Sequence, residues 1–128
     1  MKILGIGVDL IQNKRIQNLI SNKFFIKRTF GKKEIISLKK SLNKTNFIAK
    51  RFAAKEAFAK ALGTGFRYNL NFKDIEILND KIGKPYYSKS QKINNIINKK
   101  FKVKKFDLFL SISDESDFSV AFTILQSK

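Results

Sequence analysis

Hydrophobic positions alternate with glycine and polar positions at the start of the chain. This period of two predicts a β-strand from Lys2 to Leu10. The face expected to point into the core consists of Leu4, Ile6, Val8 and Leu10. The opposite face carries Gly5, Gly7 and Asp9, and glycines in a strand indicate a surface kept open for a close approach. Asp9 could serve that surface or cap the next helix, and the strand pattern leaves both open.

The stretch from Arg51 to Gly65, RFAAKEAFAKALGTG, predicts a helix that ends at a glycine stop. The stripe expected to face the core consists of Ala54, Ala57, Phe58, Ala61 and Leu62. On the other side, Glu56 and Lys60 stack four residues apart, beside the small residues Ala53 and Ala59. Spacing alone favours an exposed ion pair that contributes roughly 0.2–0.5 kcal/mol.

The rest of the pattern predicts shorter helices and two hairpins. The helices are expected over Gln12 to Ser21, Lys32 to Leu42 and Ser90 to Lys100, and the central helix begins near Phe47. The hairpins are expected from Asp74–Leu78 with Lys84–Tyr87, and from Phe106–Ile112 with Phe118–Ile124. We therefore expect an α+β fold, in which one small antiparallel sheet built from all these strands packs against the central helix.

Composition limits the number of domains, the types of metal ligand and the location that we expect for this protein. A chain of 128 residues with 43% apolar residues is expected to form a single domain over residues 1–128. The absence of cysteine and histidine excludes thiolate and imidazole chemistry, so a metal would need oxygen ligands, which favours Mg²⁺. No apolar run is long enough for a membrane helix and no signal peptide is recognised, which predicts a cytoplasmic protein without a membrane partner.

Two charged regions have more than one interpretation. The net charge of +17 predicts attraction to an acidic partner, although abundant Lys, Asn and Ile are also typical of an A/T-rich genome. The turn Asp114-Glu115-Ser116-Asp117 is the densest acidic spot, and it is either a solvated turn or a contact for a metal or ligand. It lacks the glycine and the distal glutamate of an EF-hand loop.

Five sequence segments together resemble one family. They are GIGVDLI at Gly5 to Ile11, RFAAKEAFAKALGTG at Arg51 to Gly65, DIEI and GKPY between Asp74 and Tyr86, and LSIS at Leu110 to Ser113. Their order and near full-length span resemble the small bacterial 4′-phosphopantetheinyl transferases, the holo-acyl-carrier-protein synthases. The resemblance implies transfer of 4′-phosphopantetheine from coenzyme A to a serine of apo acyl carrier protein in fatty-acid biosynthesis, with release of adenosine 3′,5′-bisphosphate.

The resemblance also assigns roles to residues. Asp9 and Glu56 are implied to bind Mg²⁺, and two carboxylates suffice for an ion that keeps water and phosphate oxygens in its shell. Lys60 is implied to stabilise the transition state on the phosphates, with Glu56 or a metal-bound water as the base. The coenzyme A site is implied to include Arg51, Lys60, Gly63, Thr64 and Gly65. Ala53 and Ala59 would leave room for the pyrophosphate.

Partners follow from the same resemblance. Arg15 and Arg28 are implied to contact the acidic helix of the carrier protein, which gives the positive charge a partner. The family forms homotrimers with active sites at subunit boundaries. Asp114 is a departure, because the family usually has a histidine there. We expect Asp114 to turn towards the metal site or solvent and the enzyme to remain active.

Two other function classes fit parts of the sequence. A basic nucleic-acid-binding module would account for the charge and the interleaved Phe, Lys and Arg. However, the chain has no helix-turn-helix, zinc-finger, RNP or KH signature, so we expect no nucleic-acid partner. A non-catalytic relative that only binds coenzyme A or carrier protein is the other alternative, and an assay of carrier-protein modification separates the three.

Overall fold

Five strands form two antiparallel sheets around one long helix in the computed structural model, which describes residues 1–128. One sheet has the order β1-β5-β4 and the other pairs β2 with β3. In chain order the elements are β1 (Lys2–Gln12), α1 (Asn13–Gln17), α2 (Lys23–Thr29), α3 (Lys32–Lys40), α4 (Lys44–Leu62), a 3₁₀ turn (Phe72–Asp74), β2 (Ile77–Asn79), β3 (Pro85–Tyr87), α5 (Gln91–Phe101), β4 (Phe106–Asp114) and β5 (Phe118–Ser127).

The α+β class and the antiparallel packing against a central helix are confirmed, but the prediction of one continuous sheet is wrong. The middle hairpin, β2 with β3, forms its own two-stranded sheet, and β3 lies beside β4 without ladder hydrogen bonds. The predicted helices are found to within about three residues at their ends, except that α2 was not predicted and α1 ends at Gln17 rather than Ser21. It ends early because the Asn22 side chain accepts a hydrogen bond from the Phe25 amide and starts α2 there.

The predicted orientation of β1 is also wrong. Ile6, Val8 and Leu10 are 59%, 51% and 64% exposed, whereas Gly7 and Ile11 are buried under α4. Alternation fixes the period of a strand but does not tell which face another element covers. The glycine face is covered because only glycine lets the α4 backbone come close, and this leaves the apolar face bare.

The core lies around α4, which is buried on nearly all sides. One cluster of 22 buried hydrophobic residues includes Ile48, Phe58 and Leu62 from this helix. The helix ends where predicted, since Gly63 adopts the left-handed conformation with φ 77°. Three of the four buried residues of β5, Ser119, Ala121 and Thr123, are small or polar, so the helix packs close to the sheet. None of the helices is long and apolar enough to cross a membrane.

Candidate active site

Close packing of α4 on β1 sets the position of the candidate site. A Cβ atom added to Gly5 would lie 1.9 Å from the Ala61 carbonyl oxygen, and one added to Gly7 would lie 1.9 Å from that of Ala57. No other residue type fits at either position, so the glycines serve the backbone of α4 rather than a ligand. Asp9 is the next residue on the same face and is therefore carried towards α4.

Lys60 reaches from α4 to β1. Its Nζ lies 3.2 Å from Asp9 Oδ1 and donates a second hydrogen bond of 2.9 Å to the Val8 carbonyl oxygen. The side chains of Lys60 and Asp9 are 55% and 19% exposed, so solvent and ligands can reach the pair. The expected ion pair between Glu56 and Lys60 is not formed, because Lys60 pairs with Asp9 across the helix–strand interface instead.

Glu56 completes a group of two carboxylates and one amine. Burial raises the pKa of the half-buried Glu56 above its usual 4.5, the nearby Asp9 carboxylate raises it further, and Lys60 lowers it. The chemistry of the two carboxylates suits a divalent cation, since it would offset the repulsion that disfavours their charged forms. No group of three or more Asp or Glu side chains suited to a metal is present. A metal held by Asp9 and Glu56 would therefore need other oxygen atoms to complete its shell.

The glycine loop follows directly from the helix that carries Glu56 and Lys60. Gly63 and Gly65 both have positive φ, at 77° and 62°, and a Cβ added to Gly65 would meet nothing within 4 Å. The Thr64 hydroxyl donates to the Gly65 carbonyl oxygen at 3.3 Å. The Gly63 and Gly65 amides donate to the carbonyl oxygens of Lys60 and Ala59, which leaves the Thr64 amide, one helical turn beyond Lys60, to approach an anion.

Arg51 lies away from the group of Asp9, Glu56 and Lys60. Its guanidinium stacks on the Phe47 ring with a separation of 3.7 Å and donates to Asn79 Oδ1 of β2. Its Nε is buried without a hydrogen-bond partner, 4.0 Å from Glu34 Oε2. Within one chain Arg51 therefore faces the middle hairpin and not the carboxylates.

The remaining predicted residues are spread over the surface. Arg15 of α1 and Arg28 of α2 are exposed, and neither forms an ion pair with an acidic side chain. Arg28 lies over the Phe24 ring at 5.2 Å. Asp114 is exposed and accepts a hydrogen bond from the Asn46 side chain at the start of α4. It does not join Asp9 and Glu56 in a three-carboxylate group.

Ala53 and Ala59 do not line the site as expected. Both are buried in the interior, with 0% and 2% exposure, so their small size serves the packing of α4. Glu56 and Lys60 are instead accessible on a different face of α4. That face is a narrow stripe of partly exposed residues, which also includes Phe52.

Sequence reasoning missed a second charged pair on the same helix. The fully buried Lys55 donates to Glu34 Oε1 at 2.7 Å and to the carbonyl oxygens of Phe72 and Ile75. The Glu34 oxygens also accept from the backbone amides of Gly31 and Ile77, each at 3.1 Å. The available signal was the wheel position of Lys55, since it falls on the buried stripe of Ile48, Phe58 and Leu62.

The chain is similar to known proteins along nearly its whole length. A family model described as the 4′-phosphopantetheinyl transferase superfamily matches residues 5–123. A holo-acyl-carrier-protein synthase of Pelagibacter ubique (strain HTCC1062) is 59% identical over 128 residues, 100% of both chains. The crystal structure of the synthase from Neisseria meningitidis has a TM-score of 0.88 at 35% identity, covering 98% of this chain and 99% of that one. The synthase of Bacillus anthracis in complex with coenzyme A (3′,5′-ADP) has a TM-score of 0.81 at 36% identity, covering 100% of both chains.

Proposed function

The chain belongs to the 4′-phosphopantetheinyl transferase superfamily, and we propose that it transfers 4′-phosphopantetheine from coenzyme A to a serine of apo acyl carrier protein. The serine Oγ forms a bond to the phosphorus next to the pantetheine, and adenosine 3′,5′-bisphosphate leaves. The observation that carries this proposal is the convergence of Asp9, Glu56 and Lys60 at the β1–α4 contact. In the cell this reaction would supply active carrier protein to fatty-acid biosynthesis, and the expected cytoplasmic location stays a prediction.

Asp9 and Glu56 would hold Mg²⁺ in this scheme. When bound, the ion would neutralise charge on the pyrophosphate oxygens. Support comes from the donor set, because carboxylate oxygens are ligands that Mg²⁺ prefers. The pKa of Glu56 is raised first by burial and then by the nearby Asp9 carboxylate, and a cation would relieve the second effect. We expect addition of EDTA to abolish transfer and added Mg²⁺ to restore it.

Lys60 would stabilise negative charge on the phosphates, and Glu56 would accept the proton of the serine hydroxyl. The Lys60 ammonium carries three donors, of which two now bind Asp9 and the Val8 carbonyl oxygen, and it would interact with the phosphates as a point charge. Glu56 is suited to accept the serine proton because its pKa lies above that of an ordinary glutamate. A water molecule beside it is the alternative acceptor.

We infer that the glycine loop and Arg51 contribute to coenzyme A binding. The Gly63 and Gly65 amides donate to the carbonyl oxygens of Lys60 and Ala59, so the Thr64 amide, one turn after Lys60, is the one that would bind a phosphate. The Arg51 Nε is buried 4.0 Å from Glu34 Oε2, so Arg51 would contact a ligand through the guanidinium end that now donates to Asn79. Its distance from Lys60 along α4 means that it would contact a different part of coenzyme A.

The acidic carrier protein would dock on the basic face formed by α1 and α2. Arg15 and Arg28 are exposed there and lack acidic partners within the chain. Long-range attraction between this face and an acidic helix would speed association, and the rate would fall as salt increases.

A homotrimer would cover the outer face of the three-stranded sheet. The exposed apolar side chains of this face are Ile6, Val8, Leu10, Phe109, Phe118 and Phe122, all between 39% and 64% exposed. Monomers rarely leave such a continuous patch bare. Light scattering should give the mass of three chains for the wild type, and Val8→Glu should shift it towards one. A monomeric wild type at micromolar concentration would contradict the trimer.

The central test is the mass of an apo carrier protein after incubation with coenzyme A, Mg²⁺ and this protein. We expect one phosphopantetheine adduct per serine and the release of adenosine 3′,5′-bisphosphate. Asp9→Ala and Glu56→Ala should abolish the adduct while circular dichroism shows a folded protein. Absence of an adduct with the wild type would refute the function, and retained activity in both variants would refute the proposed roles of the two carboxylates.

A further inference from the structure

A cavity of about 500 Å³ lies between the segment that follows the glycine loop and the C-terminal half of α5. It is lined by Tyr68, Asn95, Ile96, Lys99 and Lys100, and no acidic side chain is among them. Its volume is within the range of small-molecule sites, which is roughly 300–1,000 Å³. We refer to it as the α5 cavity.

Lys99 and Lys100 give the α5 cavity two positive charges that the protein does not neutralise. Both side chains are exposed, and neither forms an ion pair with an acidic side chain. The Lys100 ammonium lies 5.5 Å from the centre of the Phe101 ring instead. The backbone behind the two lysines is fixed, because the Asn98 side chain donates to the Val103 carbonyl oxygen at 2.6 Å. Two ammonium groups without an acidic partner suit the oxygens of a phosphate chain.

Tyr68 is presented to the α5 cavity by a strained backbone. Tyr68 and Asn69 have φ of 58° and 62°, and Lys102 is the only other residue besides glycine with a positive φ. This conformation is unfavourable for L-residues and is rare for a bulky one. The Tyr68 side chain is 72% exposed and its ring pairs with no other aromatic ring. Packing in the core therefore does not account for the strain, and strain of this kind is typical of ligand sites.

The groups in the α5 cavity match the parts of a nucleotide. A free aromatic ring such as that of Tyr68 can stack on a base, as aromatic side chains do in proteins that bind nucleotides in single strands. The Asn95 carbonyl oxygen accepts from the Gln91 side chain at 2.8 Å, which leaves the Asn95 amide N–H groups for a base or a sugar. Phosphates can bind the two lysines. A nucleoside polyphosphate uses all of these groups at once.

The α5 cavity borders the proposed coenzyme A site without being part of it. Lys100 Nζ lies 3.4 Å from the position of a Cβ added to Gly63, so the cavity adjoins the glycine loop at the C-terminal end of α4. Arg51, another proposed coenzyme A contact, lies twelve residues before Gly63 in α4, roughly 18 Å along the helix axis. A coenzyme A molecule that spans Arg51, Lys60 and Thr64 therefore places its nucleotide away from the α5 cavity. Its pantetheine arm is uncharged and does not match two lysines.

We propose that the α5 cavity binds a nucleoside polyphosphate, separately from coenzyme A. The base stacks on Tyr68, and the phosphates bind Lys99 and Lys100 beside the glycine loop. The site needs no step of the transfer reaction. A failure of the proposed transferase function and a failure of this site are therefore distinguishable.

The first test measures ATP binding by equilibrium dialysis of the full chain, with excess Mg²⁺ and saturating coenzyme A. We expect ATP to bind while coenzyme A is present. Adenosine and tripolyphosphate, which each carry only part of the ligand, should bind at least about tenfold more weakly. Absence of binding at about 1 mM ATP, or complete displacement of ATP by coenzyme A, would overturn the proposal and leave the transferase function standing.

The second test removes the Tyr68 ring without straining the backbone. Tyr68→Gly and its matched control Asn69→Gly both place glycine where φ is positive, so circular dichroism should show a folded protein for each. Tyr68→Gly should weaken ATP binding at least about tenfold and leave tripolyphosphate binding unchanged. Asn69→Gly should bind both ligands like the wild type. Equal ATP affinities for Tyr68→Gly and the wild type would show that no base stacks on this ring, which contradicts the proposed site.

The third test separates the two lysines from the general charge of the chain. The double variant Lys99→Gln with Lys100→Gln should weaken both ATP and tripolyphosphate binding at least about tenfold, because charged hydrogen bonds to phosphate are lost. The matched double variant Lys104→Gln with Lys105→Gln removes the same charge from exposed positions outside the α5 cavity. It should change both affinities far less. Equal losses in the two double variants would mean that ATP is attracted only by the net charge of +17, and the proposal would be wrong.

Discussion

Two lysine–carboxylate pairs lie five residues apart on α4 and differ mainly in access to water. Lys55 and Glu34 are both 0% exposed with a contact of 2.7 Å, whereas Lys60 and Asp9 are 55% and 19% exposed at 3.2 Å. The buried pair has every charged atom hydrogen-bonded within the protein. In the accessible pair, Lys60 uses two of its three N–H donors, so the third can bind a ligand.

The difference shows that one helix carries a buried pair with a structural role and an accessible pair that can bind a ligand. The Glu34–Lys55 pair joins α3, α4 and the segment from Phe72 to Ile77, which fixes the rotation of α4 and hence the direction in which Glu56 and Lys60 point. The Asp9–Lys60 pair can open at low cost, because exposed ion pairs are worth only about 0–1 kcal/mol. A phosphate can therefore replace Asp9 as the partner of Lys60.

The largest effect is expected from breaking the buried pair. Lys55→Met leaves the Glu34 carboxylate buried without its partner, which should lower the free energy of unfolding by about 3–5 kcal/mol in urea denaturation. The matched variant Lys50→Met, on the same helix but without an ion pair, should cost far less. The double variant Glu34→Leu with Lys55→Met should regain part of the loss. A loss below about 1 kcal/mol for Lys55→Met would contradict a supporting role.

The accessible pair should show the opposite pattern, with a large effect on activity and little on stability. Lys60→Ala should reduce kcat/KM by about 10²–10³, as expected for removal of a charge that stabilises a transition state. Its free energy of unfolding should stay within about 1 kcal/mol of the wild type. Lys50→Ala serves as the control for both measurements. Equal losses of stability in Lys60→Ala and Lys55→Met would remove the distinction between the pairs.

The pH dependence of stability gives a smaller test of burial at Glu34. Burial raises the pKa of the Glu34 carboxyl above its usual 4.5, although Lys55 lowers it. Just above pH 4.5 the folded state holds a proton that the unfolded state has released, so this group makes stability fall as pH rises. Glu34→Gln should remove a slope of up to about 1.4 kcal/mol per pH unit, measured by denaturation between pH 4.5 and 6. Parallel curves for both proteins would show that burial does not shift this group.

The smallest effect is expected at Asp114, which lies outside both pairs. Its carboxylate is exposed and bonded to Asn46, so Asp114→His should change kcat by less than about tenfold, or 1.4 kcal/mol in the barrier. Asp114→Asn keeps an acceptor for Asn46 and should leave stability within about 0.5 kcal/mol. A hundredfold gain in kcat for Asp114→His would show that the aspartate is a defect in the site.

Local features of the fold could be predicted because their causes are local. Strong helix formers followed by Gly63 define α4, and the turn residues between alternating segments define both hairpins. The fold class, the family and the proposed reaction were likewise accessible from the order of short motifs. The partner of Lys60 was not, because the preference for Asp9 over Glu56 depends on how far β1 lies from α4.

The sequence by itself determined which residue types are available for chemistry, since an oxygen-only ligand set and a helix with a carboxylate and an amine follow directly from composition and spacing. Tertiary structure alone decided which side of β1 is covered. Alternation of apolar residues does not tell which of the two faces of β1 is covered. The face with Gly5 and Gly7 is covered because a side chain at either position would collide with the α4 backbone. Glu34 and Lys55 are buried and therefore stabilise the fold. Asp9, Glu56 and Lys60 remain accessible to a ligand.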